Sequence, residues 1–256
     1  MVQTYHDGSF KLTTYMTPIY RTDTGFISEW RFDNITSGSG LDSQHSNHLI
    51  GSGSPVQVTG WKLASGVQFD GVDDAFFIHP INASGIDPLK PGFDTVLDGT
   101  YTQWGLFVNL WCDDFSKEQV ICSRWNEVSN DKLFQVCLTP TSGIVVRWRQ
   151  DGGSILSVIY GIDNLIPSGQ WFNFAFGRSG RDNSQSIFYV LVNNKLVVIQ
   201  TDSISSVAST ASGIFCLGAA NIGNGPSGFF KGKMENVYWF NSRGFDLSEY
   251  EYWASG

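Results

Sequence analysis

Apolar residues recur mostly at every second position, in short runs closed by Gly, Asn, Asp, Ser or Pro. That period is the signature of strands. In FISEWRF (26–32), Phe26, Ser28, Trp30 and Phe32 fall on one side and Ile27, Glu29 and Arg31 on the other. The stretch from Asn34 to Pro55 is rich in Ser, Gly and Asn and is predicted as one long loop. SGVQFDG (65–71) and AFFIHP (75–80) read as short strands around a GVDD turn, and residues 80–100 as a second long loop. TQWGLFVNLWC (102–112) places Trp104, Leu106, Val108, Leu110 and Cys112 on one face, with Phe107 and Trp111 on the other. Both faces of that strand therefore need at least partial cover. EQVICSRW (118–125), KLFQVCLT (132–139), GIVVRWRQ (143–150) and SILSVIY (154–160) continue the series. In QWFNFAFG (170–177), Phe172, Phe174 and Phe176 form a strict period-2 stripe, predicted to face a core. IFYVLVN (187–193) is apolar on both faces and reads as a central strand. NKLVVIQ (194–200) follows an Asn193-Asn194 pair, a hairpin signal. GIFCLG (213–218), GFFKGK (228–233) and MENVYWFN (234–241) complete the strands.

Only FDLSEYEYWA (245–254) looks helical, with Asp246 or Ser248 as the cap of a single turn carrying Glu249 and Glu251. About fourteen strands with no βαβ alternation exclude Rossmann and TIM architectures and predict an all-β, two-sheet antiparallel sandwich. No repeat has the period of a propeller or solenoid. Residues 1–24 are polar and mixed, broken by Pro18, and read as an N-terminal arm before a sandwich spanning 25–256. Such an arm packs on its own domain or docks on a partner.

Composition sharpens this picture. The chain has 256 residues, enough to bury a large core without disulfide staples. Its 19 Phe, 9 Tyr and 9 Trp suit pleated, half-buried surfaces, and its 28 Gly suit turns. A formal charge of −8 repels phosphate backbones, so nucleic acid is not an expected partner. Arg147 and Arg149 alternate with Val146 and Trp148 and read as a solvated face. Cys112, Cys122, Cys137 and Cys216 form no CxxC pair, and each sits in an apolar run; they are expected as buried free thiols, with Cys122 and Cys137 the pair to check. Residues 1–15 lack the charged and then apolar pattern expected of a secretory leader, and no apolar stretch reaches the ~20 residues of a membrane span. The expectation is a chain made in the cytoplasm without membrane insertion.

Three segments carry a family resemblance: GFISEWRFDN (25–34), GVQFDGVDDAFFI (66–78) and GFFKGKMENVYWFNSRGFDLSEYE (228–251). In this order, with SGQWFNFAFG (168–177) and the VNNKLV hairpin (192–197) between them, they resemble the concanavalin A-like lectin/glucanase superfamily in its laminin-G-like branch. The resemblance covers about residues 25–252 and implies a jelly roll. Ala75 stands where that group usually has an aromatic, and the arm has no counterpart. The FDGVDD turn also has a direct reading: Gly71 permits a positive φ, while Asp70, Asp73 and Asp74 cap nearby backbone. Many members of the superfamily hold calcium. That is the alternative for this cluster, with no ligands assigned and no EF-hand spacing; no other metal or cofactor is indicated.

Some relatives are glycoside hydrolases, which need two carboxylates on one face of a strand. No strand here has an acidic residue alternating with another. Asp113 and Asp114 are adjacent, Glu118 stands alone, and Glu127 and Asp131 flank a hairpin loop. His6, His45, His48 and His79 lie in or beside loops without a nucleophile partner. No catalytic residues are assigned. Glycan binding needs exposed aromatic rings beside polar side chains. The loop 123–132 offers Trp125, Asn126, Glu127 and Asp131; the loop 219–228 offers Asn221 and Asn224; Trp61 sits in a third loop. The competing role for Trp125 is packing over the sandwich rim. The functional expectation is a non-enzymatic surface protein with an adhesion or glycan-binding role, most naturally a phage tail, fibre or capsid-decoration component of a virion. Its arm would dock it to neighbouring subunits of an oligomer or larger assembly. The alternatives are a carbohydrate-binding module of a secreted, extracellular protein and, less favoured, a glycoside hydrolase.

Overall fold

A computed structural model of the chain describes residues 26–241 apart from 37, 44–47, 79–103, 127–130, 142, 150–154, 161–165, 183–184, 194, 203–213 and 221–224. The expected arm (1–24), the 80–100 loop and the terminal helical turn lie outside the described residues. Sixteen strands follow in order: β1 (Phe26–Thr36), β2 (Ser39–Asp42), β3 (Leu49–Ser52), β4 (Val56–Thr59), β5 (Ser65–Asp70), β6 (Ala75–Ile78), β7 (Trp104–Cys112), β8 (Gln119–Asn126), β9 (Asp131–Leu138), β10 (Ile144–Arg149), β11 (Ile155–Tyr160), β12 (Trp171–Asp182), β13 (Gln185–Val192), β14 (Lys195–Asp202), β15 (Phe215–Leu217) and β16 (Lys231–Asn241). No helix occurs among the described residues.

Fourteen of the strands form one antiparallel ladder, β11-β10-β9-β8-β15-β6-β3-β2-β1-β16-β7-β12-β13-β14, to which β5 is joined through β16 and β4 through β5. It folds over at β2 and β1, so that its two halves face each other as a jelly-roll-like sandwich. Aromatic contacts across the gap show the facing directly. Phe134 of β9 meets Phe176 of β12 at 6.0 Å and stacks on Trp239 of β16 at 5.4 Å. Trp30 of β1 stacks on Phe215 of β15 at 5.7 Å. The predicted Phe172, Phe174 and Phe176 stripe lies in this core, as do Leu106, Val108, Leu110 and Cys112.

The structure corrects the expected 34–55 loop. The region 34–55 is not a single loop: β1 runs to Thr36, and β2 and β3 lie within it. These four-residue strands have few large side chains to show a period, and they form by backbone pairing with β1 and β6. The four thiols are buried and unpaired. Cys122 faces the inter-sheet core and Cys137 packs on the opposite face with Val120 and Ala220, so strand alternation keeps these two apart.

β16 organises the region that follows. One edge pairs with β7 along its length. The other pairs with β5 at Lys231–Met234 and with β1 at Val237–Phe240. The exchange occurs at a bulge after Glu235, where Asn236 takes φ 57°. The core face is kept on both sides of the bulge, with Met234 before it and Val237 and Trp239 after it.

Candidate functional site

The bulge leaves Glu235 on the outer face of its sheet, yet fully buried. An ionised carboxylate in that position needs hydrogen-bond donors. They come from the β4–β5 hairpin loop. Trp61 N–H donates to Glu235 Oε2 at 2.7 Å, Lys62 N–H donates to Oε1 at 2.9 Å, and Leu63 N–H also donates to Oε1. Three successive N–H groups thus converge on one anion, a backbone nest. The curl depends on Gly60, where an added Cβ would stand 2.5 Å from the Leu63 carbonyl oxygen.

The clamped loop presents Trp61, 44% exposed. Its ring lies nearly parallel to that of Trp171 on β12, at 6.2 Å and 8°. Trp171 in turn meets Trp111 on β7 edge to face, at 6.0 Å and 70°. Register explains the grouping: Trp171 pairs with Trp111, which pairs with Lys233 of β16, so three neighbouring strands bring these side chains to one face. Trp111 Nε1–H donates to Asp113 Oδ1 at 2.7 Å. Lys233 Nζ sits 4.7 Å from the Trp111 ring centre, and Lys62 Nζ sits 5.1 Å from that of Trp61. Burial lowers the Lys62 pKa, with the Glu235 charge opposing that shift.

The next row on the same face is polar, with Asn173 paired to Asn109 and Asn109 to Glu235. Asn109 is fully buried, and among the described residues neither of its amide atoms has a hydrogen-bond partner. Three indole rings and two ammonium groups therefore meet on one sheet face, above a buried row of amides. Such a surface can hold a flat apolar ring face and satisfy polar groups at its edge.

The residues singled out in the sequence fare differently. Trp61 is the centre of this cluster. Trp125 stands next to the last residue of β8 on the opposite sheet and is 4% exposed, so its ring offers little surface for stacking. Asn126 is partly exposed beside it and pairs with Asp131, whose backbone alone is described. Glu127, Asn221 and Asn224 lie outside the described residues. Trp111, Trp171, Lys233, Asn109 and Asn173 were not foreseen. The outward face of Trp111 was visible in the alternation of its strand, but its meeting with Trp171 depends on which strands pair.

The Asp70, Asp73 and Asp74 cluster has carboxylate oxygens within 4.8 Å of one another. Backbone donors already engage it. Asp70 Oδ1 accepts from Val72 N–H at 2.7 Å, and Asp74 accepts from Ser54 N–H at 2.7 Å and from Asp70 N–H at 3.0 Å. Gly71 has the φ of 79° that this turn needs. These bonds hold Asp70 below the usual carboxylate range, whereas burial raises Asp74.

No family model and no curated protein matches the sequence. Solved structures do match the fold. The receptor-binding domain of botulinum neurotoxin C/D mosaic serotype is 9% identical, with a TM-score of 0.62 over 91% of this chain and 51% of that one. The binding domain of botulinum neurotoxin DC in complex with SialylT is 10% identical, with a TM-score of 0.60 over 91% and 51%. The same binding domain in complex with rat synaptotagmin II is 10% identical, with a TM-score of 0.60 over 90% and 51%. The chain thus spans about half the length of the structures it matches. At this identity the likeness is one of fold, the antiparallel β-sandwich.

Proposed function

We propose that this chain is a non-enzymatic glycan-binding or adhesion domain, a laminin-G-like sandwich that holds saccharides on the Trp61–Trp171–Trp111 face. The observation that carries the reading is Trp61 itself, a large ring 44% exposed on a loop that a buried carboxylate fixes in place. Sugar rings present C–H faces that pack on indoles, and a fixed ring loses little entropy on binding. Two fold neighbours lend support in their own right: one was solved in complex with SialylT, and one concerns entry that depends on two ganglioside molecules. The commitment of described carboxylates to structural bonds supports a non-catalytic role. Glu29 bonds Arg31 and Ser43, Asp114 bonds Ser116, Glu118 bonds Arg147, and Glu235 holds the loop. The proposal includes display on a virion surface, where many copies make weak single sites effective by avidity.

A glycan array followed by titration of the best ligand tests the reading. Trp61→Ala should weaken binding at least about tenfold, and an exposed position should leave stability within about 1 kcal/mol. Unchanged affinity in Trp61→Ala would remove the site. If Asn126→Ala abolished binding instead, the rim loop 123–132 would replace the tryptophan face. Co-purification with particles tests the virion setting separately.

A further inference from the structure

We infer that Asp113 accepts hydrogen bonds from the hydroxyls of a saccharide on the tryptophan face, and that the face thereby selects neutral saccharides over acidic ones. This rests on the glycan-binding reading and adds the ligand's charge and the residue that reads it. Asp113 stands two positions beyond Trp111, and its N–H donates to the Lys231 carbonyl at 3.1 Å. Strand alternation therefore carries on and puts it on the face that bears Trp111. It is exposed, and its Oδ1 accepts the Trp111 indole N–H at 2.7 Å.

An acid at a strand end ordinarily caps its own turn. Asp70 does so for the Val72 N–H and Asp114 for the Ser116 N–H. Asp113 instead holds a ring of the cluster. Among the described residues no second donor reaches its carboxylate, which can accept at about four positions. The indole bond fixes that spare capacity beside the rings, so little freedom is lost when a ligand uses it. The approach is open on this side. Across from Asp113, two positions before Trp171, Gly169 is exposed, and a Cβ added there would meet no atom within 4 Å. The row on the other side of the tryptophans holds the fully buried Asn109 and admits no ligand. Charge decides which saccharide fits. Lys62 and Lys233 lie against the Trp61 and Trp111 rings, but Glu235 and Asp113 bond the same two residues. These four groups leave no surplus of positive charge to offset the −8 of the whole chain. A hydroxyl donates to a carboxylate in a short, charge-assisted bond. An ionised ligand carboxylate has no proton to donate and meets like charge.

The experiment uses the full chain and an array of neutral, sialylated and uronate-containing glycans. Neutral glycans should be retained, and acidic ones should bind at least about tenfold more weakly than their carboxyl-reduced forms. The best neutral binder is then titrated beside its single-deoxy forms against the unaltered protein and against Asp113→Ala. One deoxy form should bind the unaltered protein about tenfold more weakly than the parent glycan. Asp113→Ala should bind the parent about tenfold more weakly and no longer distinguish that pair, whereas a merely structural role would weaken all forms alike. Should Asp113→Ala fold poorly, Asp113→Asn keeps an acceptor for the indole and serves in the same cycle, and the acidic and reduced pairs need no variant. Acidic glycans bound as tightly as their reduced forms, no weakened deoxy form, or deoxy discrimination that survives the variant would each overturn the inference. If binding were lost in Trp61→Ala and indifferent to Asp113→Ala, the glycan-binding reading would stand while the role of Asp113 fell. If no glycan were retained, both would fall.

Discussion

Glu235 shows how one side chain can set a surface. Its carboxylate is buried beneath a hairpin loop that has no core of its own, and the three N–H bonds are what tie that loop to the sheet. Replacing it by Ala leaves three donors facing a gap. Glu235→Ala should cost about 2–4 kcal/mol, from unsatisfied donors and lost charge-assisted bonds. It should also free Trp61 from Trp171, so the coupled indole signal in circular dichroism should fall. A variant with unchanged stability and spectrum would show that the loop is held by packing alone. Phe174 makes the contrasting case. Its ring is fully buried between the sheets, and Phe174→Ala should cost about 3–5 kcal/mol in denaturant unfolding; a loss below about 1 kcal/mol would contradict its place in the core. Phe174 was legible in the sequence because a period-2 stripe of identical residues has one physical meaning. Glu235 was not, since its role depends on a bulge and on a loop more than 170 positions away.

At the scale of elements, β16 carries the most consequence. It pairs with β7 on one edge and successively with β5 and β1 on the other. Gly232 lies where three strands meet most closely: an added Cβ would stand 2.0 Å from the Trp111 carbonyl oxygen, and its φ is 155°. Gly232→Ala should therefore destabilise the domain by on the order of 3 kcal/mol or more, through backbone strain and displaced pairing with β7. A loss below about 1 kcal/mol in chemical denaturation would mean the strands can part there without cost. This glycine also explains how the sequence was misread locally. Glycines normally punctuate strands, so GFFKGK and MENVYWFN looked like two elements, where one strand runs from Lys231 to Asn241. The same logic hid β2 and β3 in a Ser- and Gly-rich stretch. Strands with two-sided burial, such as β7, were plain because their side chains carry the signal. Strands held chiefly by neighbours were not. The Asn193 turn was legible for a third reason: it has the positive φ, 47°, that its residue type tolerates.

At the scale of the whole molecule, the tryptophan face lies on one sheet and Trp125 on the other. The core between them makes a prediction that no single contact does. Burial raises the thiol pKa of Cys112 to about 11 and drives those of Cys122, Cys137 and Cys216 higher still; burial, with Glu29 adding to it, also raises Tyr238. In the unfolded chain these groups ionise near their ordinary values, about 8.5 for Cys and 10 for Tyr. Between the two sets of values the folded state holds more protons than the unfolded one, so unfolding free energy must fall as pH rises. The stabilisation from these groups is complete below about pH 8 and is lost progressively above it. Each thiol adds up to about 1.4 kcal/mol per pH unit once its unfolded form is ionised, and the Cys112 share levels off near its folded value. The denaturation midpoint should therefore drop steeply from pH 8.5 to 10. Over the same range a thiol reagent should label the native protein only as fast as it unfolds, while the denatured, non-reduced chain should take up four adducts. A midpoint that stays level through pH 10, or one thiol that reacts rapidly in the native state, would show that the sandwich interior admits water where the packing places none.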